Sequence, residues 1–139
     1  MAERNAQAVW EGTLKEGKGT MKFGTFEGPF SFSSRFEEGT GTNPEELIGA
    51  AHAGCYSMAL SGALTRAGFP PVKIETRARV SLGQVDGKAR ITNIHLECRA
   101  AAPGISANQF NEIAEATKSG CPVSAALAAT PITLDAQLV

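Results

Sequence analysis

Between Asn43 and Gly68 the chain carries one long stretch that is almost without charge, and a protein of 139 residues can house such a segment in few ways. Asn43 has an N-cap side chain, Pro44 suits the first helical position, and Glu45 and Glu46 bring negative charge to the positive end of the helix dipole. Glu46 follows Asn43 at the spacing of a capping box. Leu47 to Ala67 is nearly all apolar or small, and Gly68 is a stop. A helix apolar on every side is expected to be buried on every side. The rest of the fold must then be built around it. Past its first turn and before Arg66, the only side chains able to carry charge near neutrality are His52 and the Cys55 thiol.

The flanks read as strands and short helices. Ala6 to Leu14, Thr20 to Phe23 and Phe30 to Phe32 have strand composition, with a turn at Lys15 to Gly19 and a polar loop at Glu37 to Thr42. Ile74 to Leu82 alternates apolar and polar residues, Val85-Asp86-Gly87-Lys88 is a hairpin turn, and Ile94, Leu96, Cys98 and Ala100 share one strand face. Ser106 and Gln109 form a second capping-box pattern, opening a helix that faces inward with Phe110, Ile113 and Ala114 and stops at Gly120. Cys121-Pro122 then has the form of N-cap and N1 for a short helix to about Ala129, and Ile132 to Leu138 alternates as a last strand. The order predicts an α+β fold in a single domain over residues 1–139.

Composition narrows the function classes. The formal net charge is −1, which gives no electrostatic footprint for nucleic acid or an anionic membrane. The N-terminus lacks a signal-peptide pattern, and no apolar run reaches the roughly 18 residues expected of a spanning helix. A cytoplasmic location is therefore the expectation. Three cysteines, an odd number with no CxxC pair, argue against a disulfide-stapled secreted scaffold and lack the strong zinc and redox spacings. No metal or cofactor is expected, because His95 faces away from the cysteine-bearing side of its strand.

Among the candidate residues, Cys121 has the stronger physical case. A thiol at a helix N-terminus meets unpaired N–H groups and the positive dipole end, both favouring thiolate; a small capping residue would look the same. Cys55 lies within the apolar helix, where burial raises a thiol pKa and most cysteines are inert. His52, one turn earlier, shares its face and either supports a thiolate or bonds within the core. Cys98 reads as structural.

The run TNPEELIGAAHAGC from Thr42 to Cys55 closely resembles the central-helix signature of the OsmC/Ohr family, and SGCPVS from Ser119 to Ser124 resembles that family's second-cysteine motif. The likeness extends to SRF around Arg35, to VSLGQVDG and to the closing ITLDAQL, and the histidine of AAHAGC fits the OsmC branch. The resemblance implies antiparallel sheets wrapped around a long buried central helix in an intertwined two-fold homodimer. It implies reduction of organic hydroperoxides in stress defence, with Cys55 peroxidatic, Cys121 resolving, Arg35 stabilising the thiolate and Glu45 orienting Arg35. His52 then becomes a possible supporting residue. The implied reductant is a dithiol of the lipoyl type. On the residues alone, Arg35 reads equally as a surface arginine on a strand edge and Glu45 as a dipole partner.

Helix arithmetic adds to the implied site. Glu45 and Cys55 are ten residues apart (55 − 45), about 15 Å of rise and about 80° around the axis, so they cannot meet within one helix. An antiparallel copy crossing near residue 50 would bring them together, and Gly49, Ala50, Ala51, Ala53 and Gly54 are small enough to let it approach. A non-catalytic redox sensor or a hydrophobic-ligand binder using the same dimer cleft is the alternative reading; a disulfide reductase and a structural stress protein are others.

Overall fold

The computed structural model describes all residues 1–139, grouped into two compact units, Met1–Leu47 and Ile48–Val139. The first holds an antiparallel meander of β1 (Ala6–Glu11), β2 (Lys18–Phe23) and β3 (Phe26–Phe30) in that order. The tilted rings of Trp10 and Phe30 lie 5.3 Å apart across Gly19, the residue paired with both. A Cβ on Gly19 would sit 2.7 Å from an atom of each ring, so the middle strand can carry only hydrogen there.

The chain then turns into a short helix, α1 (Phe32–Phe36), where sequence composition points to a strand through Phe32. The cause is local. The N–H of Ser34 donates to Ser31 Oγ at 3.1 Å and the N–H of Ser31 donates to Ser34 Oγ at 2.8 Å, a reciprocal capping box made of two serines. Arg35 therefore stands on a helix, not on a strand edge. Buried Ser34 also anchors the start of the next helix. Its hydroxyl donates to the Thr42 carbonyl at 2.7 Å, and Asn43 Nδ2 donates to the Ser34 carbonyl at 3.0 Å.

The long helix is α2 (Pro44–Arg66), and Asn43 caps it as expected, accepting the Glu46 N–H at 2.8 Å. Only half of the capping box forms, because Glu46 Oε2 takes the Thr42 hydroxyl at 3.2 Å in place of the Asn43 N–H. Gly68, at φ +92°, closes the helix with a backbone few other residues adopt. Contrary to the sequence expectation, Pro44–Arg66 is by length and composition apolar enough to cross a membrane. Its alanines and leucines supply that apolar character. His52, Tyr56, Leu60 and Leu64, at four-residue spacing, are all fully buried.

Burial all round does not hold within one chain. Ala50, Ala51 and Gly54 are exposed, and Met58 is 78% exposed.

In the second unit β4 (Lys73–Val85) and β5 (Lys88–Ala101) form a long antiparallel hairpin. Asp86 and Gly87, at φ 52° and 74°, make its two-residue turn, the backbone that an Asp-Gly pair favours. β6 (Ile132–Leu138) adds beside β5 in parallel, so this sheet is mixed where antiparallel pairing was expected. The crossover through α3 (Ala107–Gly120) and α4 (Pro122–Ala126) brings the chain back to the end from which β5 began, as a parallel pair requires. The core joins Tyr56, Leu60 and Leu64 of α2 to Ile94, Leu96, Cys98 and Ala100 of β5 and to Phe110 and Ala114 of α3. Tyr56 adds a polar tie, its hydroxyl donating to the Ala114 carbonyl at 3.1 Å.

Candidate active site

The start of α4 organises the thiols. Cys121 is both the C-cap of α3 and the N-cap of α4, with Pro122 next, and its sulfur accepts the Ser124 N–H at 3.3 Å. The helix is shorter than expected, ending at Ala126. The first-turn N–H groups bear on both cysteines: that of Ser124 reaches the Cys121 sulfur, and that of Val123 pulls the Cys55 thiol down. Cys55 and Cys121 are neighbours, near enough for Cys121 to act on the Cys55 thiol. Two cysteines that lie 66 positions apart in sequence (121 − 55) thus meet as free thiols.

Cys55 is half-buried on α2, Cys121 fully buried. Burial pushes the Cys55 thiol up, the Val123 N–H pulls it down, and the neighbouring Cys121 pushes it up again, for a net rise. Within this unit no cation acts on it. Cys98, buried in β5, is pushed up by burial against the opposing pull of Thr76 and Arg99, as suits a core residue.

Behind the thiols lies a polar chain that no sequence motif foretells. The Cys121 thiol donates to Ser124 Oγ at 3.1 Å, and Ser124 Oγ lies 2.6 Å from His52 Nε2. Ser124 and His52 are both buried. The opposite ring atom, His52 Nδ1, is buried with no partner. Burial lowers the His52 pKa, which keeps the ring neutral at pH 7. The CPVS spacing shows Ser124 as an ordinary first-turn residue; its partner lies 72 positions away, and no local pattern connects them.

Arg35 and Glu45 are paired within the first unit. Arg35 Nη2 and Nε both donate to Glu45 Oε1, at 2.8 and 3.2 Å. Glu45 is buried and its Oε2 has no partner, whereas the Arg35 side chain is 37% exposed. The pair is fixed because Ser34, beside Arg35, is bonded to Thr42 and Asn43 just before Glu45. Trp10, Leu14, Phe30, Phe32 and Phe36 wall a cleft of about 220 Å³ next to Arg35. His95 bonds to Thr133 at 2.7 Å, away from the cysteines.

An α+β protein with two free, neighbouring thiols near a helix start is the class that fold and geometry define. A family model described as OsmC-like protein matches residues 37–136. Over 140 residues the chain is 53% identical to the peroxiredoxin OsmC of Escherichia coli (strain K12), covering 97% of this chain and 96% of that one. The solved OsmC like protein from Mycoplasma pneumoniae matches with a TM-score of 0.76 at 17% identity, covering 99% of this chain and 98% of that one. The organic hydroperoxide resistance protein OhrB of Bacillus subtilis matches at 0.73 and 23%, covering 96% and 98%. At those identities the two structures speak for the fold. This chain belongs to the OsmC-like family.

Proposed function

We propose that this chain reduces organic hydroperoxides to alcohols in oxidative and osmotic stress defence, with Cys55 as peroxidatic and Cys121 as resolving cysteine. The juxtaposition of these two free thiols, in which Cys121 acts on Cys55, carries the reading. It is a cysteine-based peroxidase, an oxidoreductase, in keeping with the peroxiredoxin name of its 53% identical relative. The Cys55 thiolate attacks the terminal oxygen of the hydroperoxide, the alkoxide leaves and takes up a proton, and Cys55 becomes a sulfenic acid. Cys121 condenses with it, releasing water and closing a disulfide. A cytoplasmic dithiol, of the lipoyl type, then restores both thiols by exchange.

Cys55 needs a cation to reach the thiolate, since its surroundings in one unit push it up. Arg35, aimed by Glu45, supplies that charge from a second copy of the chain. Ten residues of helix keep Glu45 and Cys55 of one chain about 15 Å apart in rise. The exposed stripe of Ala50, Ala51, Gly54 and Met58 on α2 is what the second copy covers. The aromatic cleft beside Arg35 suits an alkyl chain better than hydrogen peroxide.

The test is a steady-state peroxidase assay with dihydrolipoamide, comparing cumene hydroperoxide with hydrogen peroxide. Repeated turnover, faster on the organic peroxide, is expected. Cys55→Ser abolishes it, Cys121→Ser leaves one stoichiometric turnover, and Cys98→Ser is nearly silent. A single slow oxidation without turnover in the unmodified protein would replace the enzyme with a redox sensor.

A further inference from the structure

The buried chain from His52 through Ser124 to Cys121 takes no part in the scheme above, which it deepens and on which it rests. Three observations define it. Ser124 Oγ is the only hydroxyl bonded to the Cys121 sulfur, at 3.1 Å, and it is held by His52 Nε2 at 2.6 Å. The Ser124 N–H reaches the same sulfur at 3.3 Å. His52 Nδ1 has no partner.

The last observation selects the tautomer. An orphaned buried N–H costs more than an orphaned lone pair, because buried donors are almost always paired. The ring proton therefore sits on Nε2, and His52 donates to Ser124 Oγ. In the reduced chain the serine oxygen accepts from His52 on one lone pair and from the Cys121 S–H on the other, and its own proton stays free to give. Once that sulfur turns negative, the hydroxyl rotates to donate to it.

We propose that Ser124, backed by His52, is a positioning pair for Cys121, stabilising the negative charge that develops on its sulfur as the disulfide closes. In that step the Cys121 sulfur forms a bond to the Cys55 sulfur while the S–O bond of the sulfenic acid breaks. The departing hydroxyl takes the Cys121 thiol proton and leaves as water. Cys55 sulfur is reduced from the sulfenic to the disulfide level and Cys121 sulfur is oxidised to it, so no further reagent enters. The proton passes from the Cys121 sulfur to the departing hydroxyl, and the Ser124 hydroxyl and N–H stabilise the charge it leaves behind. His52 and Ser124 are buried, Ser124 is bonded to Cys121 and His52 to Ser124, and neither is bonded to Cys55, so the pair acts on the second step alone.

Rapid mixing of the full-length reduced protein with cumene hydroperoxide separates the steps. Oxidation of Cys55 scales with peroxide concentration, whereas disulfide closure does not. Ser124→Ala and His52→Leu, which keep the volume of the site nearly constant, are expected to keep the first rate constant within about twofold. They should slow the second about tenfold or more, the loss of one charge-assisted hydrogen bond. His52→Gln, which retains an N–H in place of Nε2, should recover much of it. The double variant should be no slower than Ser124→Ala, because His52 acts through the serine. Additive losses, equal slowing of both steps, or unchanged closure in Ser124→Ala each overturn the proposal. A wild-type chain that forms no disulfide on peroxide addition overturns the peroxidase reading itself, and the relay with it.

Discussion

At Cys55 the local forces run against reactivity, and that conflict is informative at the scale of a single residue. Burial and the neighbouring Cys121 raise its pKa while one backbone N–H lowers it. A thiol left in this state is protonated at neutral pH, and attack on a peroxide needs the thiolate. Such a thiol would be drawn towards the thiolate by a positive charge, and Arg35, with one guanidinium edge on Glu45 and a side chain 37% exposed, is the cation proposed for it. Arg35→Gln should raise the pH at which Cys55 becomes reactive, since a nearby cation favours the ionised form. Iodoacetamide alkylation against pH in a Cys98→Ser, Cys121→Ser background measures this. The background removes the upward push of Cys121, so its own midpoint should lie below that of the wild type. An unchanged midpoint on removing Arg35 would take it out of the mechanism. His52→Gln in the same background should move the midpoint less, because His52 bonds to Ser124 and not to Cys55.

Elements differ in how far sequence alone could reveal them, and the reason is the range of the interactions that decide each one. Asn43, Gly68, Asp86-Gly87 and Cys121-Pro122 were legible because a cap or a turn is settled within four residues. The two strands of the long hairpin were legible from alternation, and the structure buries Ile94, Leu96, Cys98 and Ala100 as that alternation requires. α1 was not legible: five residues show no helical period, and its aromatic composition imitates a strand. The parallel pairing of β6 was hidden because it depends on where a crossover of two helices ends. The same distinction separates the two halves of the candidate site. Each motif could be read locally, but the meeting of Cys55 with Cys121, and of Ser124 with His52, is tertiary.

α1 also carries a prediction of its own. Ser34 accepts from the Ser31 N–H and donates to Thr42, so it both starts the helix and ties it to the beginning of α2. Ser34→Ala removes half of the capping box, leaving the Ser31 N–H without its acceptor and the Thr42 carbonyl without its donor. A loss of about 1–2 kcal/mol in stability is expected by thermal or denaturant unfolding. Peroxidase turnover should fall with it, because Arg35 loses its anchor to the segment that carries Glu45. A variant with unchanged stability and turnover would show that the serine box does not position Arg35.

At the scale of the whole molecule the exposed face of α2 bears on how many chains make one site. α2 exposes Ala50, Ala51, Gly54 and Met58, and a Cβ on Gly54 would meet nothing within 4 Å. A long apolar helix seldom leaves such a stripe in water, and a two-fold axis near residue 50 would cover it with the same stripe of another copy. Residues 45 and 55 are symmetric about that point, so Glu45 and its Arg35 from one chain would arrive at Cys55 of the other. The arrangement makes a claim that no single variant can imitate. A Cys55→Ser homodimer and a Glu45→Ala homodimer each lack a good site. A mixed dimer has one site carrying both changes and one that unites an intact Glu45 with an intact Cys55. If the two variants are mixed, unfolded and refolded together, random pairing makes about half of the dimers mixed, so about a quarter of the wild-type sites should work again. Each variant refolded alone is the baseline. If Glu45 served the cysteine of its own chain, every site in every dimer would carry one defect and mixing would restore nothing. That result, or a monomer by sedimentation at micromolar concentration, rejects the shared site while leaving the thiol pair within each chain intact.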